Sequence, residues 1–276
     1  MFDGQGPTWQ ARLALHFRAD HGRTRCESRH RGPLRMQKSL YPEGDAVCHA
    51  VVIHPPGGIA GGDELELAIA VDRGAHGLVT TPGATKWYKA NGHAAVQRVA
   101  LAVNGTLEWL PQEAIVFDAA DVHSSIEIEL GADAAMIGWD IVALGRHAAG
   151  ERFDQGCYRQ SLRLRIDGAL QWHERVRIAG RDALLDSPVG LAGNRVFGCL
   201  WAAGASVEDI DLDDLRSGLG DTATVAPRTR LHPRLIVART LASGTGAARS
   251  ALETVWSGLR PRVCARPARA PRIWAT

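Results

Sequence analysis

The sequence predicts a mainly β protein: layered, largely antiparallel β-sheets, arranged as an extended β-sandwich or in a β-helix-like way, with about two α-helices near the C-terminus. Three observations carry this expectation. Apolar residues recur with a period of about two along much of the chain, turn dipeptides separate such stretches, and a period of about 3.6 shows only from Ser206 onward.

Leu65, Leu67, Ile69 and Val71 alternate with Glu64, Glu66, Ala68 and Ala70, which gives one apolar face and one face that begins acidic. Ile126, Ile128 and Leu130 alternate with Glu127 and Glu129, and Leu162, Leu164 and Ile166 with Arg163 and Arg165. Each stretch is expected to be a half-buried strand. Asn104-Gly105 separates Val99, Leu101 and Val103 from 107–110, and Asp167-Gly168 separates 162–166 from 170–178. Both dipeptides tolerate the positive φ angles of a tight turn, so each predicts an antiparallel hairpin.

Across 206–219, Ser206 is placed to cap a helix, Asp209 stands at the acidic capping-box position, and Leu212, Leu215 and Leu219 share a face. Across 245–259, Ala248, Ala251, Leu252, Val255, Trp256 and Leu259 form a helical stripe that Pro261 is expected to end. Core packing is the plainest use of that stripe. No repeat of solenoid length and no linker interrupts the chain, so 1–276 reads as one domain with an Arg/Pro-rich tail at 261–276.

Composition narrows the function. The 276 residues are 45% hydrophobic and 22% charged with a net charge of +2, which describes a folded globular chain. Five cysteines lie far apart with no C-x-x-C pair, against a zinc knuckle or a disulfide framework. No apolar run suits a signal peptide or a membrane span, so a cytoplasmic location is expected, without membrane partners. The arginines of the tail are not accompanied by aromatic stacking platforms, so nucleic acid is not expected as a partner.

Phosphate-loop, dinucleotide and nucleophile-elbow motifs are all missing, and none of the eleven histidines stands at H-x-H or H-E-x-x-H spacing. A tight metal cage from one segment is therefore excluded, while ligands converging from separate loops are not.

Several segments depart from the alternation. His54-Pro55-Pro56-Gly57-Gly58-Ile59-Ala60-Gly61-Gly62-Asp63 combines stiff and free backbone between two polar ends. Thr80-Thr81-Pro82-Gly83-Ala84-Thr85-Lys86 places hydroxyls and a cation at a strand end. Leu110-Pro111-Gln112-Glu113, Gly138-Trp139-Asp140 and Leu144-Gly145-Arg146 follow. Together with Gly32-Pro33-Leu34-Arg35-Met36-Gln37-Lys38, Leu40-Tyr41-Pro42-Glu43-Gly44, Gly150-Glu151-Arg152-Phe153 and Pro271-Arg272-Ile273-Trp274, and in this order, they resemble the UreD family of urease accessory proteins, also called UreH.

The resemblance implies a mainly β, non-enzymatic scaffold for urease maturation. Its partners would be urease apoprotein and UreF, which recruits the GTPase UreG carrying nickel. It would hold no tight cofactor and offer transient nickel(II) an internal route. Scattered single ligands suit such passage, since each step must release what it binds. Asp63, Glu113 and Asp140, the last commonly glutamate in the family, are the candidate nickel contacts. His54, Thr80, Thr81 and Lys86 are candidates to line the route. Leu252, Trp256, Arg260 and Arg272 are candidates to dock a helical partner. The alternative is a β-rich hydrolase or isomerase with Asp63 and Glu113 as an acid/base pair.

Overall fold

The structure is a computed structural model that describes residues 9–213 and 228–275. Its strands are β1 (Gln10–Asp20), β2 (Arg23–Arg31), β3 (Arg35–Met36), β4 (Val47–Ile53), β5 (Glu64–Val71), β6 (His76–Thr80), β7 (Thr85–Trp87), β8 (Ala95–Val103), β9 (Thr106–Trp109), β10 (Ala114–Val116), β11 (Asp121–Leu130), β12 (Ala135–Leu144), β13 (Cys157–Ile166), β14 (Ala169–Ala179), β15 (Val196–Gly204), β16 (Arg228–His232) and β17 (Leu235–Ala242). Among the described residues, the last strand is followed by helix α1 (Thr245–Val263).

The strands form two sheets. The first runs β14-β13-β11-β8-β5-β1-β2, and the second runs β16-β17-β15-β12-β9-β6-β4-β3, with β10 beside β12 and β7 beside β10. From β4 to β13 the chain mostly alternates between the sheets, so each sheet grows by receiving successive passes in the same direction. Parallel pairing is the consequence: β5 with β8, β8 with β11 and β11 with β13 in one sheet, β4 with β6, β6 with β9 and β9 with β12 in the other. The mainly β class and the β-helix-like winding match the sequence, but the sheets are mixed rather than largely antiparallel.

In-register stacking makes the core. Leu67, Val99, Ile126 and Leu162 stand side by side across β5, β8, β11 and β13, and Ile69, Leu101, Ile128 and Leu164 form the next rung. All eight are buried, as the alternation requires.

The two turn dipeptides separate at this point. Asp167 and Gly168 take φ of 53° and 78° and join β13 to β14 as an antiparallel hairpin. Asn104-Gly105 instead links β8 in the first sheet to β9 in the second. Its flanking amides continue separate ladders, Asn104 N to Val71 O (2.8 Å) and Thr106 N to Ala75 O (2.9 Å). Two apolar faces can be buried against each other by folding one strand over the other, and here that outcome replaces the flat hairpin.

Helix α1 packs on β12, β15 and β17, burying Ala248, Leu252, Val255, Trp256 and Leu259. It runs through Pro261 to Val263, past its expected end. Arg260 and Val263, both buried, anchor the turn on either side of the proline. The expected helix at 206–219 does not start at Ser206. That residue lies in a short 3-10 turn, Ala205–Val207, and its hydroxyl donates to Val263 O rather than capping. The Asp211 carboxylate accepts the Asp213 amide (2.8 Å), and residues 214–219 lie outside the described set.

Candidate functional site

A cavity of about 340 Å³ lies between the two sheets. Its floor on the first sheet comes from β5, β8 and β11, and its roof from β9, β12 and the loops around Gly58, Thr81 and Gln112. The inward rung Leu65, Gln97, Ser124 and Gln160 crosses β5, β8, β11 and β13 in register, and three of its members are polar. Asp140 on β12 faces this rung, and its carboxylate accepts a hydrogen bond from the Gln160 amide.

Asp140 also lines a second cavity, of about 540 Å³, together with Gln160, Glu174, Cys199 and Arg239. One buried carboxylate thus lines both spaces. Burial raises its pKa to about 6, against the hydrogen bonds from Gln160 and the Ile141 amide. Tyr158 shares the first cavity, and burial, with the nearby Asp140 charge, holds its phenol well above its ordinary pKa.

His54 lines the same cavity and its buried Nε2 has no hydrogen-bond partner. Burial holds its pKa below the ordinary value, against the attraction of Asp63, so the imidazole is neutral at physiological pH. Thr81 and the exposed Lys86 complete the sequence-derived lining that the cavity brings together. A neutral imidazole, one carboxylate that titrates near neutrality, and amide and hydroxyl oxygens form a donor set that takes a divalent cation weakly.

Other expected site residues go elsewhere. Asp63 closes the glycine-rich loop by accepting the amides of Ala60 (2.8 Å) and Trp9 (3.1 Å). Within that loop Gly58 is required, because a Cβ there would meet Tyr88 Cε2 at 2.4 Å. Glu113 pairs with Arg249 of α1 at 2.7 Å. Neither carboxylate lines either of these two cavities, and nothing here supports them as the acid/base pair of a hydrolase or isomerase. Thr80 is buried on the opposite face, donating to Leu110 O (2.6 Å) and accepting from Trp274 Nε1 (2.9 Å).

Leu252, Trp256 and Arg260 are buried in the chain's own core and present no surface for docking. The tail folds back with them, since Trp274 stacks near Trp139 and Trp256 at ring-centroid distances of 5.2 and 5.7 Å. Arg272 remains exposed.

His76, Glu108 and Cys264 bring three metal-capable groups within 4.8 Å of one another. Glu108, however, accepts hydrogen bonds from Arg260, Trp256 Nε1 (2.9 Å) and His76 (2.9 Å). The guanidinium occupies the place of a cation there, so this cluster is a salt-bridge network.

A family model described as the UreD urease accessory protein matches residues 10–275. The chain belongs to the UreD family of urease accessory proteins. It is 48% identical over 272 residues to the urease accessory protein UreD of Pseudomonas fluorescens, covering 98% of this chain and 96% of the relative. Identity is 45% over 271 residues to the UreD of Methylobacillus flagellatus, covering 97% and 95%, and 43% over 282 residues to that of Ralstonia nicotianae, covering 98% and 95%.

In this UreD-family chain the polar rung went unread in the sequence although its signal is present. Gln97, Ser124 and Gln160 each interrupt an otherwise apolar inward alternation, two residues before Val99, Ile126 and Leu162. Aligning the strands on their inward faces brings these three into one row.

Proposed function

We propose that this chain is a non-catalytic helper in urease maturation that gives nickel(II) an internal route to urease, in a complex with urease apoprotein, UreF and UreG. Membership of a urease accessory family supports the process. One observation supports the route: Asp140 lines both cavities, opposite the polar rung Gln97, Ser124 and Gln160.

In this reading nickel is cargo. His54 Nε2 and the Asp140 carboxylate offer one strong donor each, and the amides and hydroxyl offer weak ones. A cation held by few ligands at a time can leave each position, which a Cys/His cage would prevent. Asp140, held at about 6 by burial, is half protonated near pH 6 and mostly ionised at pH 7, so exchange of a proton for the metal costs little. Asp63 and Glu113 act by shaping the loops around the route.

The experiment is co-expression with urease and the other accessory proteins, followed by metal analysis of the purified urease. Asp140→Ala and His54→Ala together are expected to lower nickel content, with partial recovery in excess nickel. Undiminished nickel in urease matured by the double variant would overturn the route. Turnover of a small substrate by the purified chain would overturn the non-catalytic reading.

A further inference from the structure

Strand β2 ends the first sheet, and among the described residues it pairs only with β1. The register fixes which of its backbone groups are already bonded. Trp9 O and Phe17 O accept the amides of Glu64 and Asp72, at the two ends of β5, so the odd residues of β1 face β5. Arg12, Ala14, His16 and Arg18 therefore face β2, opposite Arg31, Arg29, Glu27 and Arg25. The N–H and C=O of Thr24, Cys26, Ser28 and His30 then point away from the sheet. Asp45 O takes the Thr24 amide at 2.9 Å, and from Cys26 to His30 the edge is open among the described residues.

The side chains of Arg25, Glu27, Arg29 and Arg31 stand on the outer face, because the residues between them turn inward opposite Leu13, Leu15 and Phe17. Arg25 pairs with Asp20 and Glu27 with Arg18. Arg29 and Arg31, both exposed, form no ion pair among the described residues. A groove of about 470 Å³ beside them is lined by Arg12, Arg29, Arg31 and Arg98 against one carboxylate, Glu66. We propose that the open edge of β2 binds an extended, acidic peptide segment of a partner protein, which joins the first sheet as a further strand.

Hydrogen bonding and charge select this occupant. An edge that alternates N–H and C=O needs a partner supplying both, which an extended peptide does and a nucleic acid or lipid headgroup does not. A strand added here sets alternate side chains beside Arg29 and Arg31, where carboxylates can pair with them and reach the groove. A second copy of β2 fits poorly: in antiparallel pairing centred on Ser28, Arg25 meets Arg31 twice, and like charges directly opposite are destabilising. The edge residues line neither interior cavity, so occupancy of this edge is independent of the nickel route.

The test uses the full chain and a fluorescein-labelled peptide of four Glu-Thr repeats, with a Lys-Thr peptide of equal length as control. Binding is read by fluorescence anisotropy and by amide hydrogen exchange resolved to single residues. The acidic peptide is expected to bind at least about tenfold more tightly than the basic one, with affinity falling as salt rises. The amides of Cys26, Ser28 and His30 are expected to gain protection, while those of Arg25, Glu27 and Arg29, already bonded to β1, stay unchanged. Arg29→Glu/Arg31→Glu and, separately, Ser28→Pro, which removes one open N–H of an edge strand, are each expected to weaken binding by roughly tenfold with unchanged circular dichroism. Absence of a preference for the acidic peptide, or binding without protection of the three amides, overturns the proposal. Protection of those amides in the free chain, lost on dilution, overturns it in favour of a second copy. Should Ser28→Pro fail to fold, an unchanged affinity in the arginine double variant overturns it equally.

Discussion

Arg260 Nε lies 2.9 Å from the Glu108 carboxylate, and neither side chain reaches solvent. The same guanidinium reaches Glu43 at 2.7 Å, and the two carboxylates are each hydrogen-bonded by a histidine, Glu43 by His49 and Glu108 by His76. One cation thereby ties helix α1 to strand β9 and to the loop before β4. Burial works against every charge in the chain of contacts, yet both glutamates remain below their ordinary pKa because histidine and Arg260 hydrogen bonds outweigh it.

Removing one partner leaves the others charged and dry. Arg260→Ala is expected to destabilise the protein by about 3–5 kcal/mol, measured by urea denaturation. Replacing Arg260 by methionine and Glu108 by leucine together is expected to recover part of that loss, since no unpaired charge then remains at the Arg260 to Glu108 contact.

Two carboxyls respond to pH in opposite directions. Burial pushes Glu43 up, but His49 and Arg260 hold it at about 2, against an ordinary 4.5. Its contribution to stability is therefore present above about 4.5 and lost as pH falls from there toward about 2. Burial holds Asp140 at about 6, against an ordinary 3.8, so the folded chain keeps a proton that the unfolded chain has released in that window. Stability declines as pH rises through it, and Asp140→Asn is expected to abolish this component. Denaturation midpoints of wild type and variant at about pH 5 and about pH 7.5 measure the difference.

Leu164 is fully buried between Ile128 of β11 and Trp172 of β14 on the stacked inner face. Leu164→Ala is expected to cost about 2–5 kcal/mol, read from the shift in denaturation midpoint at unchanged slope. The half-buried neighbour Arg165 pairs with Glu129 at 3.2 Å on the outer face, and Arg165→Ala is expected to cost no more than about 1 kcal/mol.

Trp274 covers Trp139 and Trp256 and donates to Thr80. Trp274→Ala is expected to lower stability by about 1–3 kcal/mol and to raise the exposure of Trp139 to a fluorescence quencher. Unchanged quenching would mean that the tail does not cover the second sheet in solution.

Much was legible locally. Alternation identified β5, β11 and β13 and their buried faces, because the face a side chain takes depends only on its place along one strand. Asp167-Gly168 was legible as a hairpin for a similar reason: positive φ at two successive residues is a local demand. The stripe from Ala248 to Leu259 was legible as helix, but Leu252 and Trp256, expected to dock a partner, are buried in the chain's own core. The family was legible from the order of the Pro/Gly-rich segments.

What the sequence by itself determined, then, was the period of each element, its apolar face and the family to which the chain belongs. Only the tertiary structure decided the rest: that successive strands pass between sheets and pair in parallel, that Asp63 and Glu113 are spent on loop amides and on Arg249, that Arg260 turns inward, and that Asp140 meets the polar rung. The physical reason is range. Periodicity is set by the backbone within a few residues, whereas the partner of a buried polar group is chosen among residues brought close from far along the chain, as Arg260 and Glu43 are.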